Sequence, residues 1–184
     1  MNVYDFDNTI YRGDSTVDFV LFCFVRKPKT LLNVPRTVFY GIRYLMNPSN
    51  KLSFKENLYH MFKYIDNIEE LVELFTWRHL KNIKGWYLQQ QKEDDVVISA
   101  SPEFLIQSFC RKLNIQSIMA SKVDIHTGKY DGLNCHGEEK VRRFYERYPN
   151  GIIDEFYSDS RSDTPLAKIS KQAYLVNGDE REPW

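Results

Sequence analysis

Near the start of this chain stand two acids two residues apart, Asp5 and Asp7, in the run Asp5-Phe6-Asp7-Asn8-Thr9 that follows the apolar pair Val3-Tyr4. Residues two apart on an extended segment point to the same side, so a strand here would aim both carboxylates into one cleft. Two acids so placed either repel and raise one pKa or share a hard cation, and both arrangements suit a reactive site. Asp, Asn and Thr are also turn formers, and an acidic turn after an edge strand uses the same residues. The pair therefore needs support from elsewhere in the chain.

Three further sets of residues could supply it. Ser99 and Ser101 follow the β-branched run Val96-Val97-Ile98, and the helix opening at Pro102 offers free N–H groups suited to a phosphate. Lys140 lies in the first turn of a helix beginning near Glu138, and Asp159 and Asp163 fall in the run Ser158-Asp159-Ser160-Arg161-Ser162-Asp163. Each has an ordinary role available. Ser101 suits a helix N-cap, Lys140 an exposed face, and the two acids a solvated loop.

The elements that must position these residues follow from periodicity. Met1 to Phe6 reads as a buried strand, and a polar loop with Gly13 runs from Asn8 to Asp14. A long helical block follows. Val17 to Val25 is apolar, Pro28 and Pro35 punctuate, and Val38, Phe39, Ile42, Leu45 and Met46 recur at helical spacing until Pro48. Ser53 and Glu56 have the spacing of a capping box, and one helix is expected from about Ile68 to Gln90 with Leu71, Val72, Phe75, Leu80 and Ile83 inward.

After residue 95 the period changes. A strand at Val96–Ile98 and a helix from Pro102 to Leu113 precede two short strands, Ile118 to Ile125 and Lys129 to Leu133, around a turn at Thr127-Gly128. A helix from Glu138 to Tyr148 turns Val141, Phe144, Tyr145 and Tyr148 to the core, followed by a strand at 152–157, a short helix at 164–170 and a last strand at 173–176. Strands alternating with helices predict an α/β fold, a Rossmann-like, mostly parallel sheet flanked by helices. Residues 1–14 and 91–184 would form the α/β core. Residues 15–90 are too long for one crossover and are expected to lie over the sheet as an all-helical cap. In such a sheet ligands bind at the carboxyl ends of the strands, which is where Asp5, Asp7, Ser99, Lys140, Asp159 and Asp163 all fall.

In this order, those pieces resemble the motifs of the haloacid dehalogenase superfamily of phosphatases. DFDNT at 5–9 resembles its first motif, Ser99 its second, Lys140 its third and DSRSD at 159–163 its fourth. The helical insertion resembles the phosphoserine phosphatase branch, subfamily IB. The stretches NCHGEEKVRRF at 134–144 and YSDSRSDTPL at 157–166 are similar to the branch that includes phosphatidylglycerophosphate phosphatase C.

The resemblance implies a Mg²⁺-dependent phosphomonoesterase that works through an aspartyl-phosphate on a small phosphorylated metabolite. Asp5 would be the nucleophile and Asp7 the general acid and then base. Asp5, Asp159 and the backbone carbonyl of Asp7 would hold Mg²⁺, with Asp163 orienting that shell from behind. Ser99 and Lys140 would hold the phosphoryl oxygens. Asp14 stands where phosphoserine phosphatases carry a substrate-reading Glu, and Ser160 and Ser162 replace their usual Gly and Asn, both departures from a phosphoserine site. Arg43 and Lys51 are further candidates for substrate contact. A lipid phosphate cut at a membrane surface, and a binding protein with a relict site, are the alternatives.

Composition sets the outer bounds. The 184 residues, 42% hydrophobic and 27% charged, suit one well-buried domain with an insertion. The net charge of +0 gives no sign of nucleic-acid binding. From Phe19 to Lys55, however, no acidic residue occurs, while Arg26, Lys27, Lys29, Arg36, Arg43, Lys51 and Lys55 do. Such a run serves as a solvated face or as an anion-attracting one, including contact with an anionic bilayer. The three cysteines are scattered and odd in number, and the N-terminus carries no basic-then-apolar segment, so a reducing, cytoplasmic setting is expected, with contact at the inner membrane face as the variant.

Overall fold

The computed structural model describes residues 1–184. Its centre is the first strand, β1 (Asn2–Tyr4), three residues long and wholly buried. It pairs in parallel with β2 (Val96–Pro102) on one side and β4 (Ile153–Ser158) on the other. β3 (Ser117–Ser121) extends the sheet beyond β2, and β5 (Ser170–Asn177) beyond β4, both in parallel. β6 (Glu180–Pro183) closes the edge antiparallel to β5, giving the order β3-β2-β1-β4-β5-β6.

Between β1 and β2 run α1 (Ser15–Arg26), α2 (Val34–Met46), α3 (Lys51–Tyr59), α4 (Ile68–His79) and α5 (Gly85–Gln90). α6 (Glu103–Lys112) joins β2 to β3, α7 (Glu138–Arg147) joins β3 to β4, and α8 (Thr164–Lys168) joins β4 to β5. Strand alternation divides the core between two faces. Tyr4 and Val97 join Phe19 of α1, Phe75 of α4, Tyr87 of α5 and Phe109 of α6 on one face. Val3, Val96 and Ile98 meet Phe144 of α7 and Leu166 of α8 on the other. The mostly parallel α/β architecture thus follows the expected pattern.

Several local expectations are corrected. The helix expected from Ile68 to Gln90 stops at His79. A 3-10 turn at Leu80–Asn82 follows, and Ile83 then bridges Tyr11 in antiparallel fashion. The reason is long-range pairing. Arg12 N donates to Asn82 O at 2.8 Å and Lys84 N to Ile10 O at 2.8 Å, which outweighs an apolar periodicity that runs on without a break. The Lys84 ammonium, nearly fully buried, donates to the carbonyls of Asn8 and Gly178.

No capping box forms at Ser53. The residue lies inside α3, and Glu56 accepts the backbone N–H of Tyr130 at 3.1 Å. Tyr145 of α7 faces outward instead of toward the core. β6 lies outside the expected strands, because Glu180-Arg181-Glu182-Pro183 is exposed throughout and carries no apolar alternation.

The two strands expected around Thr127-Gly128 shrink to β3 and one bridge between Val123 and Tyr130. That segment packs on the helices instead of pairing along its length. The Tyr130 ring stacks on Tyr59, and Gly128, at φ +71°, leaves so little room that an added Cβ would lie 2.4 Å from the Tyr59 carbonyl carbon. Gly128→Ala combines a left-handed backbone with an overpacked contact and is expected to cost about 2–4 kcal/mol. At roughly 2–4 °C per kcal/mol for a chain of this size, the melting midpoint should fall by several degrees in a thermal scan, and an unchanged midpoint would contradict the close packing.

Candidate active site

The site begins where β1 runs out. Asp5 N still donates to Tyr157 O at 2.9 Å, extending the ladder by one residue, and the chain then folds back with Ile10 N and Tyr11 N both donating to Phe6 O at 3.0 and 2.9 Å. Asn8 takes the left-handed conformation that this reversal needs, φ +55°, which Asn tolerates better than most residues. Thr9 reaches across to the neighbouring strand end, where its Oγ1 accepts from Asp159 N at 3.0 Å.

Asp5 and Asp7 consequently open into the same cleft, a polar cavity of about 260 Å³ lined by 15 residues of which 1 is hydrophobic. Asp14, Ser99, Lys140, Asp159 and Asp163 line it as well, and so does Lys51. Arg43 does not. It is exposed on α2, with its guanidinium 5.9 Å from the centre of the Phe39 ring.

Lys140 is the most constrained member. Its Nζ donates to Asp5 Oδ1 at 2.9 Å and to Asp163 Oδ2 at 2.7 Å, and Ser158 Oγ also donates to Asp163 Oδ2 at 2.8 Å. The Lys140 and Asp163 side chains are each only 2% exposed. Burial opposes the lysine's charge, but Asp5 and Asp163 overcome it and hold the ammonium above the ordinary lysine range. Burial pushes Asp5 up to about 7 against the pull of Lys140, with Asp163 adding to the rise.

Asp7 is held from two sides. Ser15 N donates to its Oδ1 at 2.6 Å and Ser101 Oγ to its Oδ2 at 2.5 Å, while Thr16 Oγ1 donates to Ser101 Oγ at 2.9 Å. Burial, with Asp14 nearby, raises Asp7 to about 6 despite these donors. Burial likewise raises Asp159 above the usual carboxylate range. Asp14 caps α1, accepting Val17 N at 2.9 Å.

Ser101 is therefore not the N-cap of α6, a position that Pro102 occupies. The β2–β3 register shifts between Ser99 and Pro102, and this irregularity carries Ser101 to Asp7. Ser99 Oγ accepts Ser101 N at 3.1 Å. Its spacing of two from Ser99 was the available signal.

Lys55 and His136 line the cleft too; Lys55 closes the basic run that offers an anion-attracting face, and His136 carries no site signal of its own. Lys55 Nζ donates to Ala100 O at 3.2 Å and lies 3.4 Å from Asn134 Oδ1. Burial, with Lys51 beside it, lowers Lys55 to about 8, and burial lowers His136 as well.

A larger groove of about 500 Å³ lies between β3 and α7, but Glu139 and Glu146 there neutralise Arg142 and Arg143, and none of the expected residues lines it. Nothing in it converges on a reacting atom.

The cleft's donors fit a hard divalent cation. They are carboxylate oxygens, the type Mg²⁺ prefers, and Asp163 Oδ1 is buried with no hydrogen-bond partner. Asp5, Asp159 and the carbonyl of Asp7 are the residues that could hold the ion. Lys140 stands between Asp5 and Asp163, so no three acidic, His or Cys side chains converge on one point.

A probable phosphatase of Mycobacterium tuberculosis is 34% identical over 93 residues, 47% of this chain and 32% of that protein, so the chain matches about a third of its relative's length. A structure of a protein of unknown function from Bordetella pertussis Tohama I superposes with a TM-score of 0.76 at 17% identity, covering 94% of this chain and 87% of that one. Phosphoserine phosphatase in apo form shares the fold with a TM-score of 0.56 at 14% identity, covering 93% of this chain and 82% of that one. The family model of the haloacid dehalogenase-like hydrolases matches residues 3–168, which take in β1 to β4 and all the helices from α1 to α8, and the chain belongs to that family.

Proposed function

We propose that this hydrolase is a Mg²⁺-dependent phosphomonoesterase that acts on a small phosphorylated metabolite through an aspartyl-phosphate on Asp5. The observation that supports it best is the pairing of two differently held carboxylates in one cleft. Asp5 is bonded to a buried lysine, and Asp7 to a hydroxyl and a backbone N–H.

In this reading the free carboxylate oxygen of Asp5 attacks phosphorus while the ester P–O bond breaks. Asp7 gives its proton to the departing oxygen. It then takes one from water, whose oxygen attacks phosphorus, releases inorganic phosphate and regenerates Asp5. Ser15 N and Ser101 Oγ keep Asp7 oriented for both transfers.

Lys140 and Ser99 hold the phosphoryl oxygens, and Asp163, behind Lys140, positions that ammonium. Mg²⁺ held by Asp5, Asp159 and the Asp7 carbonyl would supply positive charge to the transferring group. Charge balance supports the ion. Five carboxylates line the cleft, Asp5, Asp7, Asp14, Asp159 and Asp163, against three lysines, Lys51, Lys55 and Lys140, and a phosphate dianion adds to the excess.

The helices of residues 15–90 act as the cap, bringing Lys51 and Lys55 of α3 to the cleft, beside the exposed Asp14 that caps α1. A cavity of this size and polarity suits a compact, charged leaving group, and the phosphatase names borne by a relative and by a fold neighbour agree with phosphate ester chemistry. The test is a phosphate-release screen over phosphorylated metabolites and an aryl phosphate, with Mg²⁺ and with chelator. Release that requires Mg²⁺ is expected, and no release from any substrate with the ion present would overturn the proposal.

A further inference from the structure

The polarity of the segment from Pro28 to Met46 is reversed with respect to the rest of the fold. Its buried side chains are polar: Thr30 and Asn33 are in the interior, where Asn33 Nδ2 donates to Asn57 O at 2.8 Å and Thr30 Oγ1 to Lys27 O at 2.7 Å. Its large apolar side chains point outward. α2 has no buried residue at all, and Val38, Phe39, Ile42, Leu45 and Met46 are 54, 55, 54, 81 and 81% exposed. At 100° per residue these five fall on one continuous side of the helix.

Their neighbours are basic. Arg36 and Arg43 follow Phe39 around the helix, and both guanidiniums lie 5.9 Å from an aromatic ring, that of Tyr40 and of Phe39 respectively. The surrounding chain has no acid from Phe19 to Lys55. No helix is long and apolar enough to cross a membrane, and α2, at 13 residues or about 20 Å, is too short by itself.

We propose that α2 is a peripheral docking helix that lies in the surface of an anionic bilayer, its apolar side sunk at the headgroup boundary and its arginines on the lipid phosphates. An exposed apolar side flanked by cations is what such a surface takes up. A second copy of this chain is the other candidate cover, and charge argues against it. A two-fold contact sets the same patch against itself, which would place Arg36 and Arg43 beside their own copies with no acid from residues 19–55 to offset them.

The proposal goes beyond the catalytic reading and does not depend on it, since binding is measured without turnover. The protein is sedimented with vesicles of phosphatidylglycerol and phosphatidylcholine in equal parts, and with phosphatidylcholine alone. Partitioning is expected only to the anionic vesicles, and to weaken with salt. Each arginine near such a surface is worth about 1 kcal/mol, so Arg43→Gln should lower partitioning roughly fivefold. Ile42→Asp and Leu45→Asp, both at exposed positions, should each abolish binding while the melting midpoint holds.

No sedimentation of the wild-type protein with anionic vesicles at low salt overturns the proposal, as does equal binding to both vesicle types. So does a wild-type dimer in light scattering that Leu45→Asp dissociates without any vesicle binding. Because the wild-type measurement stands alone, a variant that failed to fold would not rescue the idea.

Discussion

Asp5→Asn should lower the turnover of an aryl phosphate by roughly 10³-fold or more while the protein stays folded. The amide keeps an oxygen where Oδ1 of Asp5 accepts from Lys140 at 2.9 Å, so the neighbouring lysine retains its partner and the shape of the site is unchanged. What is lost is the carboxylate oxygen proposed to attack phosphorus. Steady-state assays with saturating Mg²⁺, alongside a melting curve, measure both halves. Full activity in a folded Asp5→Asn protein would remove Asp5 from the chemistry, and loss of folding would show that its charge serves the structure.

The second large effect is expected at Lys140. Its ammonium is the one cation bonded to both Asp5 and Asp163, and it lies almost wholly out of water. Lys140→Met keeps the apolar stem but leaves two buried acids facing each other. Removing one partner from a buried ion pair costs about 3–5 kcal/mol, because the charge that remains is uncompensated. At roughly 2–4 °C per kcal/mol, the midpoint should drop by about 6–20 °C. Adding Asp163→Asn should restore part of the loss, since it removes one of the stranded charges. Urea unfolding of the single and double variants tests this, and additive losses would contradict the coupling.

The fold was largely legible because its signals are local. Short β-branched runs separated by helical periods specify a parallel sheet, and Asp5 and Asp7 were legible as the acids at the end of its first strand, although β1 stops at Tyr4 and a turn, not strand alternation, brings Asp7 to the cleft. The features that depart from the sequence pattern depend on partners far away in the chain. Ser101 has the type and place of an N-cap, yet the register shift in β2 hands it to Asp7, 94 positions away. The apolar pattern through residues 68–90 continues where the chain in fact breaks to pair with residues 10–12, since a pairing between distant segments leaves no mark on periodicity. Lys55 and His136 reach the cleft from a helix and a loop that only the topology brings there.

The break after α4 has a mechanical meaning. The chain leaves the sheet for the helical layer near residues 10–12 and comes back near 82–84, and at this crossing the outgoing and returning segments are bonded to each other through Arg12 N to Asn82 O, Lys84 N to Ile10 O and the Tyr11–Ile83 bridge. Two tethers stitched together behave as one ribbon that does not part, and with Phe19 of α1 and Phe75 of α4 packed into the sheet's core they fix where the helical layer begins and ends beside Asp5. The buried ammonium of Lys84, gripping the carbonyls of Asn8 and Gly178, fastens the seam to the loop that carries Asp7.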